Sequence, residues 1–410
     1  MRKLRTAVIV GVAVATLSSM AVVGSSAGAQ SSGGKKTLYV IGTWENPAAS
    51  ATATPQYDDS AKLAVADLVK KGWDAKFESV YGSSSNAASH EQAFLESLGK
   101  KPDGWIGLNA TAVAVPVGAK VAATDLPTFS LASPDELVKE GPSGGDNIFL
   151  VRPLNRQTYA KLVEYACVDL AKQLKLKPAK VSLNAVSSGF GPPVEDQVKK
   201  EIAKYKNCEL VDVNHNTATA SDLTQQALQT KQSGANMVIS VNFPNPAGVL
   251  VNQLRQNGFT GPVIGSSSMD VAIDAGGIQN LDNLYGASDC VPTLETSKAA
   301  KQFNKAYEKA YGYAPNYAAV ENWDMIHLLA QVVDKVGHDW TKIDKALAGT
   351  DYQGVCPFTN DKNNVLAQQV TIYKYKGGTD KTKVLVKKVP IDFIPNEALV
   401  VTTTTAAPAG

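Results

Sequence analysis

Five short polar turns carry most of the chemistry this chain has to offer, and each follows an apolar run. Asn109-Ala110-Thr111 follows Trp105-Ile106-Gly107-Leu108, and Ala132-Ser133-Pro134 follows Thr128-Phe129-Ser130-Leu131. Ser187-Ser188-Gly189-Phe190, Asn242-Phe243-Pro244-Asn245 and Ser266-Ser267-Ser268 stand in the same relation to later runs. Hydroxyls, amides and turn N–H groups suit a carboxylate or another compact polar group, above all beside a helix N-terminus. Trp44, Tyr57, Phe190 and Phe243 would supply apolar walls for such a site. Plainer uses exist for the same residues: the hydroxyls can serve only as helix caps, and Phe190 and Phe243 fit a core equally well.

Catalytic signatures are mostly absent. Gly265-Ser266-Ser267-Ser268-Met269 lacks the second glycine of a nucleophile elbow. No Walker loop and no Gly-x-Gly-x-x-Gly follows the first expected strand. The four histidines, His90, His215, His327 and His338, form no metal-ligand pair by spacing. His90 and His327 fall in helical stretches as packing or surface residues. Asp58-Asp59 and Asp135-Glu136 sit at expected helix starts, where acids favour the helix dipole. The expectation is binding without turnover, with no cofactor and no metal.

Turns of this kind need strand–turn–helix units to hold them. Apolar spacing predicts strands at 37–42, 73–81, 105–108, 128–131 and 147–153, with helices at 58–71, 87–99 and 113–123. Another helix is expected after Ser133, with Ser133 as its N-cap and Pro134 in its first turn. A second alternation has helices at 157–174, 194–205, 220–233 and 247–257 and strands at 180–185, 209–213, 236–241 and 262–265. An extended run at 284–291, helices at 298–312, 317–336 and 339–348, and a hairpin at 368–375 and 383–389 complete the chain. Strands alternating with helices make mostly parallel sheets covered on both faces. The fold class is therefore α/β with two lobes of similar design. Ligands of open parallel sheets bind beyond the carboxyl ends of the strands, where the polar turns lie.

The 410 residues exceed what one core holds. Charged residues are 19% and hydrophobic residues 44%, as in ordinary globular proteins. The net charge of +2 includes Arg2, Lys3 and Arg5, and no basic stripe interleaved with aromatics suggests nucleic acid. Those three basic residues, the apolar stretch 7–23 and Ala27-Gly28-Ala29 read as a signal peptide over residues 1–29, cleaved after Ala29. Export follows, to a periplasm or extracellular envelope. No cysteine near the cleavage point offers a lipid anchor. The stretch 393–410 is low-complexity and reads as a disordered tail. The four cysteines of an exported chain favour disulfides, and by count alone three pairings are open.

At 303–329, FNKAYEKAYGYAPNYAAVENWDMIHLL, the spacing of Phe303, Tyr307, Tyr311-Gly312, Pro315, Tyr317, Trp323-Asp324 and Leu329 is specific. It resembles the branched-chain amino-acid-binding type of periplasmic binding protein. Leu254-Arg255-Gln256-Asn257-Gly258-Phe259, Arg152 after an apolar strand, and Ser133-Pro134-Asp135-Glu136-Leu137 resemble it too. The resemblance runs from Thr37 to about Lys376. It implies two Rossmann-like lobes joined by three crossover strands, a Venus-flytrap, with crossovers near 149–153, 289–293 and 353–357. Lobe 1 would be 36–150 plus 293–353, and lobe 2 would be 154–289 plus 357–392. Cys290 and Cys356 would then lie on neighbouring crossovers and pair, leaving Cys167 with Cys208 in the second lobe. Thr111 and Ser133, with main-chain groups around Ala110 and Leu131, would hold a ligand carboxylate, and Asn109 is expected in the same ligand site. Phe190 and Phe243 would close over the ligand from the second lobe, where the leucine-binding type has tyrosines. The acid that binds an ammonium in relatives falls at Ser267, which carries no charge; Asp270 is the nearest acid. The implied function is capture of a branched-chain amino acid, or a related amide or organic acid, by a monomer that delivers it to the membrane permease of an ABC importer. The alternative is an extracytoplasmic ligand sensor of the same fold that signals through a membrane partner.

Overall fold

The computed structural model describes residues 35–46, 55–83 and 86–391. The expected signal peptide and tail lie outside the described residues. The first alternation is β1 (Thr37–Gly42), α1 (Gln56–Lys70), β2 (Asp74–Ser79), α2 (Ala87–Gly99), β3 (Gly104–Gly107), α3 (Thr111–Ala122), β4 (Thr128–Ser130) and β5 (Ile148–Leu150). Its strands are parallel, in the order β2-β1-β3-β4-β5. The second begins with α4 (Asn155–Glu164), which runs through a π-turn at Tyr165–Leu170 into α5 (Ala171–Gln173). Then come β6 (Ala179–Val186), α6 (Gly191–Ile202), β7 (Cys208–Asn216), α7 (Thr224–Gln232), β8 (Met237–Val241), α8 (Pro244–Gln256), β9 (Val263–Ser266), α9 (Ser268–Asp274) and β10 (Leu284–Ser288). After these the chain forms α10 (Lys298–Tyr311), α11 (Tyr317–Val336), α12 (Trp340–Ala348), the ribbon β11 (Asp351–Gln353) and β12 (Pro357–Thr359), and the hairpin β13 (Gln369–Gly377) and β14 (Asp380–Pro390). The hairpin joins the second sheet antiparallel, giving the order β14-β13-β10-β9-β8-β6-β7.

Local chemistry explains why the elements stand where they do. Strand β8, Met-Val-Ile-Ser-Val, is buried at every position because helices cover both faces of its sheet. Helix α10 buries Ala300, Phe303 and Tyr307, one face at helical spacing. Ser297 caps its start by accepting from the Ala300 N–H, and Gly312 ends it at φ 79°, a left-handed turn that costs glycine nothing. Helix α11 is buried on most of its circumference and packs against α1 and the first sheet, so a segment far along the chain completes the first lobe's core. His327 lies on its α1-facing side, where Nε2 meets Asp67 at 2.9 Å.

Three features depart from the sequence reading. The helix expected after Ser133 is only a 3-10 turn, Asp135–Leu137, because the chain doubles back with the Ser143 N–H donating to the Glu136 carbonyl. Helix α9 and the ribbon of β11 and β12 were not anticipated; both are too short to show a period. The third crossing comes later than 353–357. Phe358 and Leu366 still pack in the first lobe's core, and the Leu366 N–H donates to the Leu150 carbonyl, so the chain returns to the second sheet only at 367–369.

Both disulfides pair as the resemblance implies. Cys167 joins Cys208 with Cα atoms 5.5 Å apart, and Cys290 joins Cys356 at 6.1 Å. The second bond closes 66 residues of chain and ties the second crossing to the loop between β11 and β12. A loop of that size is worth about 4 kcal/mol in chain entropy. Replacing Cys290 and Cys356 together by serine is expected to lower the unfolding free energy by roughly 3–4 kcal/mol in denaturant titrations. Peptide mapping without reductant should recover both links. Asp67 supplies a pH prediction. The His327 hydrogen bond, helped by Lys71, holds its carboxyl at about 2, below the ordinary 3.8. A lowered folded value stabilises at neutral pH and is lost as pH falls through that value. Asp67→Asn should therefore cost stability at pH 7, under about 1 kcal/mol because the site is half exposed. The gap to the parent should narrow as pH approaches 2.

Candidate functional site

The strand orders locate the cleft. The first sheet changes winding direction between β1 and β3, and the second between β6 and β8. Crevices open at the carboxyl ends of strands at such switch points. The two crevices face one another and form a cavity of about 350 Å³. From the first sheet come Trp44 beyond β1, Asn109, Ala110 and Thr111 beyond β3, and Leu131 and Ala132 beyond β4. From the second come Phe190 beyond β6, Phe243 and Asn245 beyond β8, Ser266 to Ser268 at the end of β9, and Ser288 and Asp289 at the end of β10. The two lobes touch beside the cavity. Arg156 of α4 meets Asp135 at 2.5 Å, and Asp274 of α9 accepts from Asn316 at 2.9 Å and Gln56 at 3.3 Å.

The first-lobe wall is polar and main-chain in character. Helix α3 starts at Thr111 with Ala110 as an extended N-cap and no side-chain cap, so its first N–H groups are open toward the cavity. A helix N-terminus of that kind favours an anion. The Asn109 side-chain oxygen is buried without a hydrogen-bond partner among the described residues. Leu108, just before it, has φ 53°, a left-handed conformation that a leucine adopts only at a cost of about 1 kcal/mol or more. Such local strain is characteristic of ligand-binding turns.

The rest of the wall is aromatic. The rings of Phe190 and Phe243 meet edge to face, 5.1 Å apart at 86°. Trp44 is buried, packs on Phe77 and Tyr57, and donates from Nε1 to Asp58 at 3.3 Å. Tyr159 of α4 donates its hydroxyl to the Ser240 carbonyl, and burial pushes that phenol up to about 12. The floor carries charge. Arg152 donates from Nε and Nη2 to the two carboxylate oxygens of Glu321, at 2.5 and 2.8 Å, and from Nη2 to the Tyr57 hydroxyl at 3.2 Å. Its guanidinium lies 4.4 Å from the ring centre of Tyr317. Burial opposes the Arg152 charge, but Glu321, Tyr57 and Tyr317 together outweigh that and raise the guanidinium further. Asp289 is buried beside them. Burial pushes its carboxyl up, while Arg152, the Ser288 hydroxyl and main-chain N–H groups pull it back.

Nine of the ten sequence-predicted site residues line this cavity: Trp44, Tyr57, Asn109, Ala110, Thr111, Leu131, Phe190, Phe243 and Ser267. Ser133 does not. It is 1% exposed and donates its hydroxyl to the Arg152 carbonyl at 3.1 Å, so it joins the turn after β4 to the first crossing, and Ala132 takes the wall position. Asp270 is not at the cavity either. It is buried, accepts from the hydroxyls of Tyr373 and Tyr375, and pairs with Lys383 at 2.9 Å. Those bonds fasten α9 to the hairpin. Arg152, Asn155, Thr158, Tyr159, Tyr317 and Asp289 were missed as cavity residues. Arg152 and Tyr317 stood in recognised motifs, and that signal was sufficient to include them. Nothing local marked Asp289, which follows an apolar run and precedes a cysteine.

Two lobes with a buried, half-polar and half-aromatic cavity between them define a ligand-binding clamp. Among the described residues no group of His, Cys, Asp and Glu is arranged to hold a metal ion. No described helix is long and apolar enough to cross a membrane. The chain belongs to the periplasmic binding protein family, whose pattern matches residues 25–380. It is similar in fold to the branched-chain amino acid transporter substrate-binding protein LivJ of Streptococcus pneumoniae, solved with isoleucine. That match has 21% identity and a TM-score of 0.73, and covers 86% of this chain and 100% of the other. It is also similar to an ABC transporter solute-binding protein of R. palustris solved with benzoate, at 18% identity and a TM-score of 0.73, covering 87% and 97%. A fatty acid ABC transporter substrate-binding protein of Thermomonospora curvata matches at 15% identity and a TM-score of 0.70, covering 87% and 93%. No curated protein matches the chain.

The floor of the cavity yields a stability prediction. Arg152→Ala would leave Glu321 buried and unpaired, and it is expected to cost roughly 3–5 kcal/mol in urea unfolding. Replacing both partners, Arg152→Met with Glu321→Leu, should cost much less.

Proposed function

We propose that this chain is the exported solute-binding component of an ABC importer. It captures a small polar or carboxylate-bearing solute between its lobes and presents the closed form to a membrane permease. The solute class is that of the resemblance: a branched-chain amino acid, or a related amide or organic acid. The observation that carries this reading is the cavity itself. It lies between the carboxyl edges of both sheets, with an uncapped helix N-terminus on one side and the Phe190–Phe243 pair on the other. Neither half alone buries a ligand, so a ligand touching both favours the closed arrangement by its differential affinity. Family membership and the likeness in fold to solved ABC transporter solute-binding proteins support the same role. On this reading the protein works as a monomer and turns nothing over.

Thermal-shift screening of the full chain against amino acids, amides, aromatic acids and other organic acids tests this. A ligand present at about 100 times its Kd should add about 2.7 kcal/mol to the folded state. Phe190→Ala and Phe243→Ala should each weaken that ligand by roughly ten- to a hundredfold while leaving the unliganded melting temperature nearly unchanged. A ligand response that survives both substitutions would place binding outside the cleft.

A further inference from the structure

The floor of the cavity is one positive charge short. The charged residues lining it, among those described, are Glu45, Arg152 and Asp289. Arg152 gives both Nε and Nη2 to Glu321, which is itself 1% exposed. Its single charge therefore stands against two buried carboxylates, those of Glu321 and Asp289. Asp289 is 5% exposed and lies on the cavity wall, at the second crossing. Arg152 favours its carboxylate only through space, and the groups that bond to it are neutral: the Ser288 hydroxyl donates to Oδ1 at 3.0 Å, and the N–H groups of Asp289 and Cys290 assist. Among the described residues no Lys, Arg or His forms an ion pair with it. Burial holds a carboxyl in that position toward its protonated form, and a cation that reaches it restores the charge.

The surroundings suit a cation from the ligand. Tyr159, Phe190, Phe243 and Tyr317 line the same space, and aromatic faces attract ammonium groups. Ser267, where the sequence resemblance placed a binding acid, carries none, and Asp270 is occupied by Tyr373, Tyr375 and Lys383. We propose that Asp289 receives an ammonium group of the solute, so that the cleft selects ligands that carry one. The inference rests on the cleft being the solute site and narrows the solute class. The ammonium would be bound at the crossing between the lobes, and the open N-terminus of α3 remains for a carboxylate on the opposite side. A zwitterion satisfies both ends; a simple amine satisfies only Asp289.

The test uses the full chain and three matched sets of probes, with affinities taken from calorimetry and melting temperatures. L-leucine and L-phenylalanine carry both charges, isoamylamine and phenethylamine only the ammonium, isocaproate and hydrocinnamate only the carboxylate. The expected result is binding by an ammonium-bearing set, with the matching acid about 100-fold weaker. Asp289→Asn should abolish that preference and Asp289→Glu should keep part of it. The asparagine removes a buried charge without adding volume, so its unliganded melting temperature should match or exceed the parent's. Preference for amino acids over amines indicates that the α3 terminus is used as well; equal binding indicates that Asp289 alone is read. Acids binding as well as amino acids, ammonium preference surviving in Asp289→Asn, or no response to either ammonium-bearing set each overturns the assignment. Binding that persists with Phe190→Ala and Phe243→Ala combined instead overturns the cleft as the site. Acid binding lost in that double variant removes only the role of Asp289.

Discussion

One largely buried guanidinium holds the floor of the cleft together. Arg152 stands on the first crossing, two residues after β5, and its partner Glu321 lies on α11. Tyr57 of α1 and the Tyr317 ring complete its surroundings. These contacts bring together three stretches of chain that are far apart in sequence. A guanidinium buried without them would cost several kcal/mol. Helix α11 must therefore be docked against the first sheet before the floor can form. The same helix brings Tyr317 to the cavity wall and, through Asn316, touches α9 of the second lobe.

The two lobes share a winding plan but not a chemistry. Each presents the carboxyl edge of a parallel sheet at its switch point, so polar turns from both converge. The first lobe contributes a helix N-terminus, an unpartnered amide oxygen and a strained leucine, features suited to a small polar group. The second contributes the Phe190–Phe243 pair and a row of serines. Polar groups therefore line one side of the cavity and apolar rings the other. The Arg156–Asp135 and Asn316–Asp274 contacts flank that gap.

Much of this was readable from local pattern. Helix α11 is found at the residues its periodicity predicts, and α10 within one residue of them, because a long amphipathic or apolar helix leaves many matches to a 3.6-residue period. The buried strands of both sheets were visible as apolar runs for the same reason. Short elements were not. Helix α9 has too few turns to register, and the 3-10 turn after Ser133 looked like a longer helix because its Ser-Pro-Asp-Glu start is a good opening with nothing following it. Of the site, the turns beyond β3, β6 and β8 were readable, since a polar turn after an apolar run announces itself.

The sequence by itself determined the alternation of strands and helices, the two-lobe plan and the turns from which a site could be made. Each depends on residues within a dozen positions of one another, and side-chain period and capping act over that range. Only the tertiary structure decided which polar groups reach the cavity. Ser133 turned away because the Arg152 carbonyl was closer at hand, and Asp270 was taken up by tyrosines of a hairpin more than a hundred residues later. Asp289 came to the cavity floor because the second crossing passes beside Arg152. Hydrogen bonds and charges pair with whatever the fold brings within about 3 Å, and that proximity is set by strand order and crossings rather than by spacing along the chain.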